Sequence, residues 1–318
     1  MLPVRVALAQ VNPSLGDLRK NLDLALATAR SAARAGARIV VFPELALSGY
    51  VLRDMVPEVA LTTDGPVFGR LLAASRAIDL VVGFVEEGAG HRFYNSAAYL
   101  SGGRIFHIHR KIYLPTYGLF QEGRDFAAGE QVRAFETPHG RAGILICEDC
   151  WHPTTAWLLA QQGAEILFVL ANGPTRGARP GRGVTSVGVW HDLLKVTAQF
   201  ETSFVVYVNR VGYEDGLNFG GGSEALDPFG RTIAALPPLE EAVGTAALDP
   251  EVLRRARTAY PLLRDDDLDL VSRELERIRR LRYDLPQPRE DTSQGPAASA
   301  AGSAPAAPPN SGRRGAGP

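Results

Sequence analysis

The sequence predicts an α/β sandwich: two β-sheets face to face, with helices on their outer surfaces. Two observations carry that prediction. Strand patterns alternate with helical patterns through the early part of the chain, and hairpin patterns take over later. The 318 residues, 45% of them hydrophobic, suffice for one large α/β domain with a real core.

Val4, Val6 and Leu8 alternate with Arg5, Ala7 and Ala9 as a first strand. Gly16 and Asp17 supply a stop and an N-cap. Leu18, Leu22, Ala25, Ala29 and Ala33 then form one helical stripe, closed by Ala35-Gly36. Arg38 to Glu44 is the second strand, and Pro43 ends it, leaving Glu44 at its C-terminal edge. Strand, helix, strand makes a parallel pair the default. Asp64-Gly65-Pro66 opens a second helix, and Leu80 to Val85 is a third strand. Tyr94 to Leu100 and Arg104 to Ile112 are joined by Ser101-Gly102-Gly103, a hairpin signal, and the second strand ends in Arg110-Lys111. Leu114 to Phe126 is a long loop rich in aromatics and glycine, of the kind that carries function.

Gly140 to Cys147 is a buried strand that breaks at a cysteine followed by Glu148 and Asp149. Ile166 to Leu170 is another, ending at Ala171-Asn172-Gly173-Pro174. Residues 177–183 form a flexible basic loop. Val187, Trp190, Leu194 and Ala198 mark a helix, and Ser203 to Asn209 one more strand. From Gly220 onward a hairpin region follows, with strands near Glu224–Leu226, Thr232–Leu236 and Val243–Leu248 and a turn at Asp227-Pro228-Phe229-Gly230. Leu268, Val271, Leu275 and Ile278 make a last amphipathic helix. From Gln287 the chain is rich in Pro, Ala, Gly and Ser and is expected to be disordered. The expected organisation is therefore a catalytic domain over 1–250, an extension over 251–286 and a tail over 287–318.

The net charge of −1, from 34 basic and 35 acidic residues, gives no global electrostatic reason to expect nucleic acid as a partner. Two cysteines three apart make no disulfide framework and point to a reducing compartment. The N-terminus enters a strand at once, without the charged and apolar regions of a signal peptide. No apolar run approaches the roughly 18 residues of a membrane span. A soluble cytoplasmic protein with no membrane partner is expected.

Three ionisable groups stand at strand ends: Glu44, Lys111 and Cys147. Singly, each has an ordinary reading, as a surface acid, a solvated lysine and an inert core thiol. Together they make an acyl-transfer site. A thiol has a reference pKa of about 8.5 and needs a base or a positive field to attack. Glu44 can take the proton and return it to a leaving amine. Lys111 can stabilise the oxyanion, with the backbone N–H of Glu148 as a second donor. This chemistry needs no metal and no cofactor. Cys147 and Cys150 also have the spacing of a redox pair or of half a zinc site. Acids between the two cysteines disfavour the thiolate, and no second cysteine pair exists. Cys150 is expected to pack. No histidine pairs with Cys147 by a local signature, so a papain-like site is the enzyme runner-up. Gly220-Gly221-Gly222 is no phosphate loop, because no Lys-Ser/Thr follows.

These residues resemble the carbon–nitrogen hydrolase family, the nitrilase superfamily. Phe42-Pro43-Glu44 looks like its glutamate motif, Arg110 to Pro115 like its lysine motif, Ile146 to Trp151 like its cysteine motif, and Ser223 to Gly230 like its late Ser-x-x-x-Asp-Pro-x-Gly element. The resemblance spans roughly residues 4 to 250. It implies an α-β-β-α sandwich that pairs into homodimers or larger homo-oligomers, and the Glu–Lys–Cys roles above. It also implies a second glutamate near the lysine, at Glu122. Tyr113 to Glu122 and Cys147 to Trp151 are most similar to the glutaminase branch of glutamine-dependent NAD synthetases. That resemblance implies Tyr50, Tyr117 and Glu148 around the substrate, with Glu148 holding an α-amino group.

The sequence departs from that branch in having no ATP-pyrophosphatase domain, only a helix and a tail after residue 250. It also lacks the branch's serine-rich segment after Asn172-Gly173-Pro174-Thr175, so Arg176 or Arg179 is a substitute for α-carboxylate binding. The expected activity is hydrolysis of a small linear amide to acid and ammonia through a cysteine thioester. The alternatives are an ammonia-supplying glutaminase subunit working with a separate ATP-dependent synthetase, and an N-carbamoyl amide hydrolase or nitrilase.

Overall fold

Strand β1 (Val4–Gln10) turns Val4, Val6 and Leu8 into one apolar layer and Ala7 and Ala9 into another. Period-two alternation gives a strand two faces, and here both are covered. The computed structural model describes residues 1–179 and 183–284; the tail expected over 287–318 lies outside them.

The elements run in order as follows. After β1 come α1 (Leu18–Arg34), β2 (Ile39–Val41), the single turn α2 (Val56–Val59), α3 (Pro66–Ala74), β3 (Asp79–Glu87), β4 (Phe93–Ser101) and β5 (Arg104–Arg110). One turn of helix, α4 (Glu122–Asp125), interrupts the long aromatic loop. Then follow β6 (Phe135–Thr137), β7 (Gly140–Ile146), α5 (Pro153–Gln161), β8 (Ile166–Ala171), the two-residue strands β9 (Ala178–Arg179) and β10 (Gly183–Val184), α6 (Thr185–Phe200) and β11 (Phe204–Asn209). The hairpin β12 (Val211–Glu214) and β13 (Leu217–Gly220) precedes β14 (Glu224–Leu226), β15 (Thr232–Ala235), β16 (Ala242–Leu248), α7 (Pro250–Ala259), α8 (Leu262–Asp265) and α9 (Leu268–Tyr283).

Two six-stranded sheets result, ordered β16-β1-β2-β3-β4-β5 and β15-β14-β11-β8-β7-β6. Each has three parallel strands at its centre and antiparallel strands outside, as β1-β2-β3 and β7-β8-β11 show. Between the sheets lie Val6, Leu8, Val41 and Val81 from one and Ile144, Ile146, Phe168 and Val206 from the other. Outside the first sheet, Leu22, Ala25 and Ala29 of α1 cover Ala7, Val40 and Val82. Outside the second, Leu159 of α5 and Leu194 of α6 cover Leu145, Val169 and Val205. The α-β-β-α sandwich expected from the sequence is the observed fold.

Local sequence accounts for the ends. The Asp17 side chain caps α1 by accepting from the backbone N–H of Lys20 at 2.9 Å. Three features differ from the sequence reading. The last strand, β16, leaves the late hairpin region and pairs antiparallel with β1 in the other sheet. The β12–β13 hairpin lies in a stretch without clean alternation. The segment read as a flexible loop over 177–183 carries the short β9–β10 pairing. Residues Met1–Asp266 form one compact unit, which includes α7 and α8 from the stretch read as an extension. In the second unit, the Asp267 side chain caps α9 by accepting from Leu270 N–H. No helix among the described residues is long and apolar enough to cross a membrane.

Candidate active site

Four strands end at one place. Glu44 follows β2 and Lys111 follows β5 in the first sheet; Cys147 follows β7 and Asn172 follows β8 in the second. Glu44 and Lys111 are each 1% exposed. Lys111 Nζ donates to Glu44 Oε1 at 2.7 Å and to Glu122 Oε1 at 2.8 Å. A buried charge persists only when paired and hydrogen-bonded, and this ammonium is held between two carboxylates. Glu44 Oε1 also accepts from Asn95 Nδ2 at 2.7 Å, and Oε2 from the backbone N–H of Asn172 at 2.8 Å. Asn172 Nδ2 donates to the Glu44 carbonyl at 2.8 Å, so Glu44 is fixed at its side chain and its backbone.

Cys147 has a φ of 46° and Leu45, just after the glutamate, a φ of 47°. Non-glycine residues pay of order 1–3 kcal/mol for such backbone, which surrounding structure must supply. At Leu45 the room comes from Gly83: a Cβ there would stand 2.5 Å from Leu45 N and 2.6 Å from Pro43 O. At Cys147 the support is Asp149, which is fully buried. Its Oδ2 accepts from Ile146 N at 3.0 Å and lies 2.9 Å from His109 Nε2. Its Oδ1 accepts from Ile112 N and Tyr113 N at 2.9 and 3.0 Å. One carboxylate thus ties the residue before the cysteine to the two residues after the lysine.

The electrostatics follow from burial. Desolvation alone would lower the Lys111 pKa, but Glu122 and Glu44 outweigh it and hold the ammonium well above its usual range. Burial, then the charge of Glu44, pushes the Cys147 thiol up, against the pull of Lys111 and a hydrogen bond from the Asn172 backbone N–H. The resting thiol is therefore protonated, and it needs a base beside it to react. Burial, opposed by Lys111 and reinforced by Glu44, raises Glu122 to about 7.

Cys147 opens into a cavity of about 330 Å³ that also exposes Tyr117, Phe120, Glu148, Trp151, Arg176 and Trp190. Small-molecule sites are commonly apolar clefts with few polar groups, and this volume is at the small end of their range. Tyr117 OH donates to Glu148 Oε2 at 2.9 Å. Burial, then this carboxylate, lifts the Tyr117 hydroxyl to about 12, so it stays a donor. Tyr50 is not among the residues lining this cavity. Its hydroxyl donates to Glu122 Oε1 at 2.7 Å, and it borders a second cavity of about 480 Å³. The side chain of Arg179 lies outside the described residues. Cys150 is buried, and desolvation raises its thiol to about 12.

A family model described as carbon-nitrogen hydrolase matches residues 5–258. The chain belongs to the carbon–nitrogen hydrolase family. It is 32% identical over 254 residues to the glutamine-dependent NAD(+) synthetase of Thermotoga maritima, covering 78% of this chain and 42% of that protein. It is 35% identical over 277 residues to an (R)-stereoselective amidase of Pseudomonas sp., covering 86% of this chain and 95% of the amidase. Among solved structures, an amidase from Nesterenkonia sp. superposes with a TM-score of 0.71 at 25% identity, covering 85% of this chain and 95% of that one. The chain thus spans less than half the length of the NAD synthetase it matches, and nearly the full length of both amidases.

Within this carbon–nitrogen hydrolase, the structure brings together Glu44, Lys111, Glu122 and Cys147 at one point, and Tyr117 and Glu148 beside it. Sequence reasoning missed Asn95, Asn172 and Asp149 as members of the arrangement. Asn95 carried a signal, being an amide inside a largely apolar strand, where a buried polar group requires a partner. It also missed Arg210 and Glu214. Arg210 is fully buried, pairs with Glu214 Oε2 at 2.5 Å and stacks on Phe219. Glu214 Oε1 in turn accepts from Tyr50 N and Val51 N at 2.8 and 2.7 Å. The unforeseen β12–β13 hairpin therefore holds the loop that presents Tyr50 to Glu122.

Proposed function

We propose that this chain hydrolyses the carboxamide of a small linear amide, glutamine-like or short aliphatic, to acid and ammonia. Glu44 takes the thiol proton of Cys147, and the sulfur attacks the carbonyl carbon. The oxyanion is stabilised by the Lys111 ammonium and the backbone N–H of Glu148. The C–N bond breaks, and ammonia leaves with the proton from Glu44. Water then gives a proton to Glu44 and cleaves the thioester, releasing the acid and restoring the thiol. Glu122 keeps Lys111 charged and in place, and Tyr50 acts through Glu122. Tyr117 and Glu148 face the substrate's far end.

The observation that carries the reading is the buried Lys111 ammonium, 2.7 Å from Glu44 and 2.8 Å from Glu122, with Cys147 at the next strand end opening on a small cavity. The match to amidases along nearly their whole length supports it. The mechanism depends on a free thiol, which a reducing cytoplasm maintains. The assay is ammonia release from glutamine, asparagine, short aliphatic amides, carbamoyl amino acids and nitriles, beside Cys147→Ala. Activity on an amide that vanishes in the variant is the expected result; a variant as active as the wild type overturns the assignment.

The similarity to NAD synthetases favours a second reading, in which the chain feeds ammonia to a separate ATP-dependent synthetase. Glutaminase activity that rises on adding such a co-purifying synthetase would support it, and activity independent of any partner would not. In either case we place the active form in a homodimer or larger homo-oligomer, which sedimentation of the purified protein tests.

A further inference from the structure

Among the described residues, the cavity over Cys147 carries one charge of each sign. Glu148 is the negative one. The positive one is Arg176, an exposed residue whose guanidinium has no carboxylate within ion-pairing distance among the described residues. Its backbone is pinned to the start of α6: Arg176 N donates to Ser186 Oγ at 3.1 Å and Ser186 N to Arg176 O at 3.2 Å. Its guanidinium lies over the Phe120 ring, 5.6 Å from the centroid. Phe120 meets Tyr117 edge to face at 5.6 Å, and the Tyr117 hydroxyl holds Glu148. A continuous aromatic wall thus joins the two charges across one cavity.

A preset guanidinium with no carboxylate partner among the described residues is suited to a substrate carboxylate, which its planar fork binds in a two-pronged contact. Resting on the amidase reading above, we propose that Arg176 is a specificity-determining residue that binds the carboxylate of an amino-acid amide whose ammonium faces Glu148. The substrate class is then a zwitterionic ω-amide, rather than a neutral aliphatic one. The opposed charges orient it, with its amide directed to Cys147 and its charged end at the aromatic wall.

The test uses the full chain and three amides: glutamine, glutaramate (glutamine without the amino group) and 4-aminobutanamide (glutamine without the carboxylate). The reading is kcat/KM for each in the wild type, Arg176→Gln and Arg176→Lys. In Arg176→Gln the selectivity for glutamine over 4-aminobutanamide is expected to fall about ten- to a hundred-fold, the size of a lost charge-assisted contact. The loss should appear mainly in KM, and glutaramate should follow glutamine. Arg176→Lys should recover part of the selectivity. A variant that loses all three substrates in the same proportion overturns the proposal, as does a wild type that prefers 4-aminobutanamide. A wild type active on propionamide but on neither carboxylate-bearing amide overturns it while leaving the amidase reading intact. A wild type silent on every amide overturns both.

Discussion

Asp149→Asn is the most informative change that leaves Cys147, Glu44 and Lys111 untouched. Asp149 is fully buried and meets four donors: the N–H groups of Ile112, Tyr113 and Ile146, and His109 Nε2. Asparagine keeps one carbonyl oxygen, enough for Ile112 and Tyr113. Its amide then faces the Ile146 N–H and leaves it without an acceptor, while His109 can adapt by changing tautomer. One orphaned buried N–H costs about 1–3 kcal/mol, and loss of the charge weakens the remaining bonds, so about 3–5 kcal/mol in total is reasonable. At about 2–4 °C per kcal/mol for a domain of this size, Tm should fall by roughly 6–20 °C. Ile146 immediately precedes Cys147, the proposed nucleophile, and a displacement of about 1 Å at a reacting group can cost on the order of a hundred-fold in rate. Thermal melting gives the first quantity. Iodoacetamide alkylation of Cys147 and ammonia release give the second, at temperatures where the variant is folded. A variant that melts within about 2 °C of wild type and reacts at the same rate would refute the argument that this carboxylate sets the cysteine.

Two further outcomes follow from the same geometry. Gly83→Ala places a Cβ against the backbone of Leu45 and Pro43, which cannot rotate away, so the Glu44 loop must move. Overpacking of this kind costs about 1–3 kcal/mol, and kcat should drop more than KM rises; unchanged kinetics would show that the loop tolerates the shift. Glu201 is 7% exposed, and burial, then the charge of Asp266, raises its carboxyl to about 7. The folded protein therefore keeps a proton that the unfolded chain has lost between the usual carboxylate range and pH 7. Stability falls as pH rises through that window, and the whole penalty is present above it. Glu201→Gln should stabilise the fold by about 1–2 kcal/mol at pH 8, after allowance for solvent screening, and by much less at pH 5. A Tm difference that does not grow with pH would contradict this.

The legible parts of the site were those set by local chain chemistry. Pro43 stops a strand and leaves Glu44 at its edge. Lys111 follows a strand launched by a Gly-Gly turn, and Cys147 breaks an apolar run. Each of these is written within a few residues. The partners are not. Asp149 reads as one of two acids beside a cysteine, yet its four donors come from residues 109, 112, 113 and 146. Asn172 reads as a strand end, and its bonds to Glu44 span 128 positions. Tyr50 is expected around the substrate from the resemblance alone, but folding turns its hydroxyl onto Glu122. The same holds for the fold. Alternation identified β16 as a strand, but a period of two says nothing about which sheet receives it, and the partner is the first strand of the chain.

Glu44 and Lys111 belong to one sheet and Cys147 and Asn172 to the other, with Asn172 bonded to Glu44 across the seam. On the proposed mechanism, neither half of the sandwich holds a complete reaction centre. No proteolytic fragment limited to one sheet can retain activity, and in a denaturant titration turnover should vanish no later than the sheets part. The apolar side chains packed between the sheets hold apart the strands that carry Glu44 and Cys147. A bulkier residue at Val41 or Ile146 would overpack the core at a cost of about 1–3 kcal/mol and, on the proposed mechanism, should also change the turnover of the protein that remains folded.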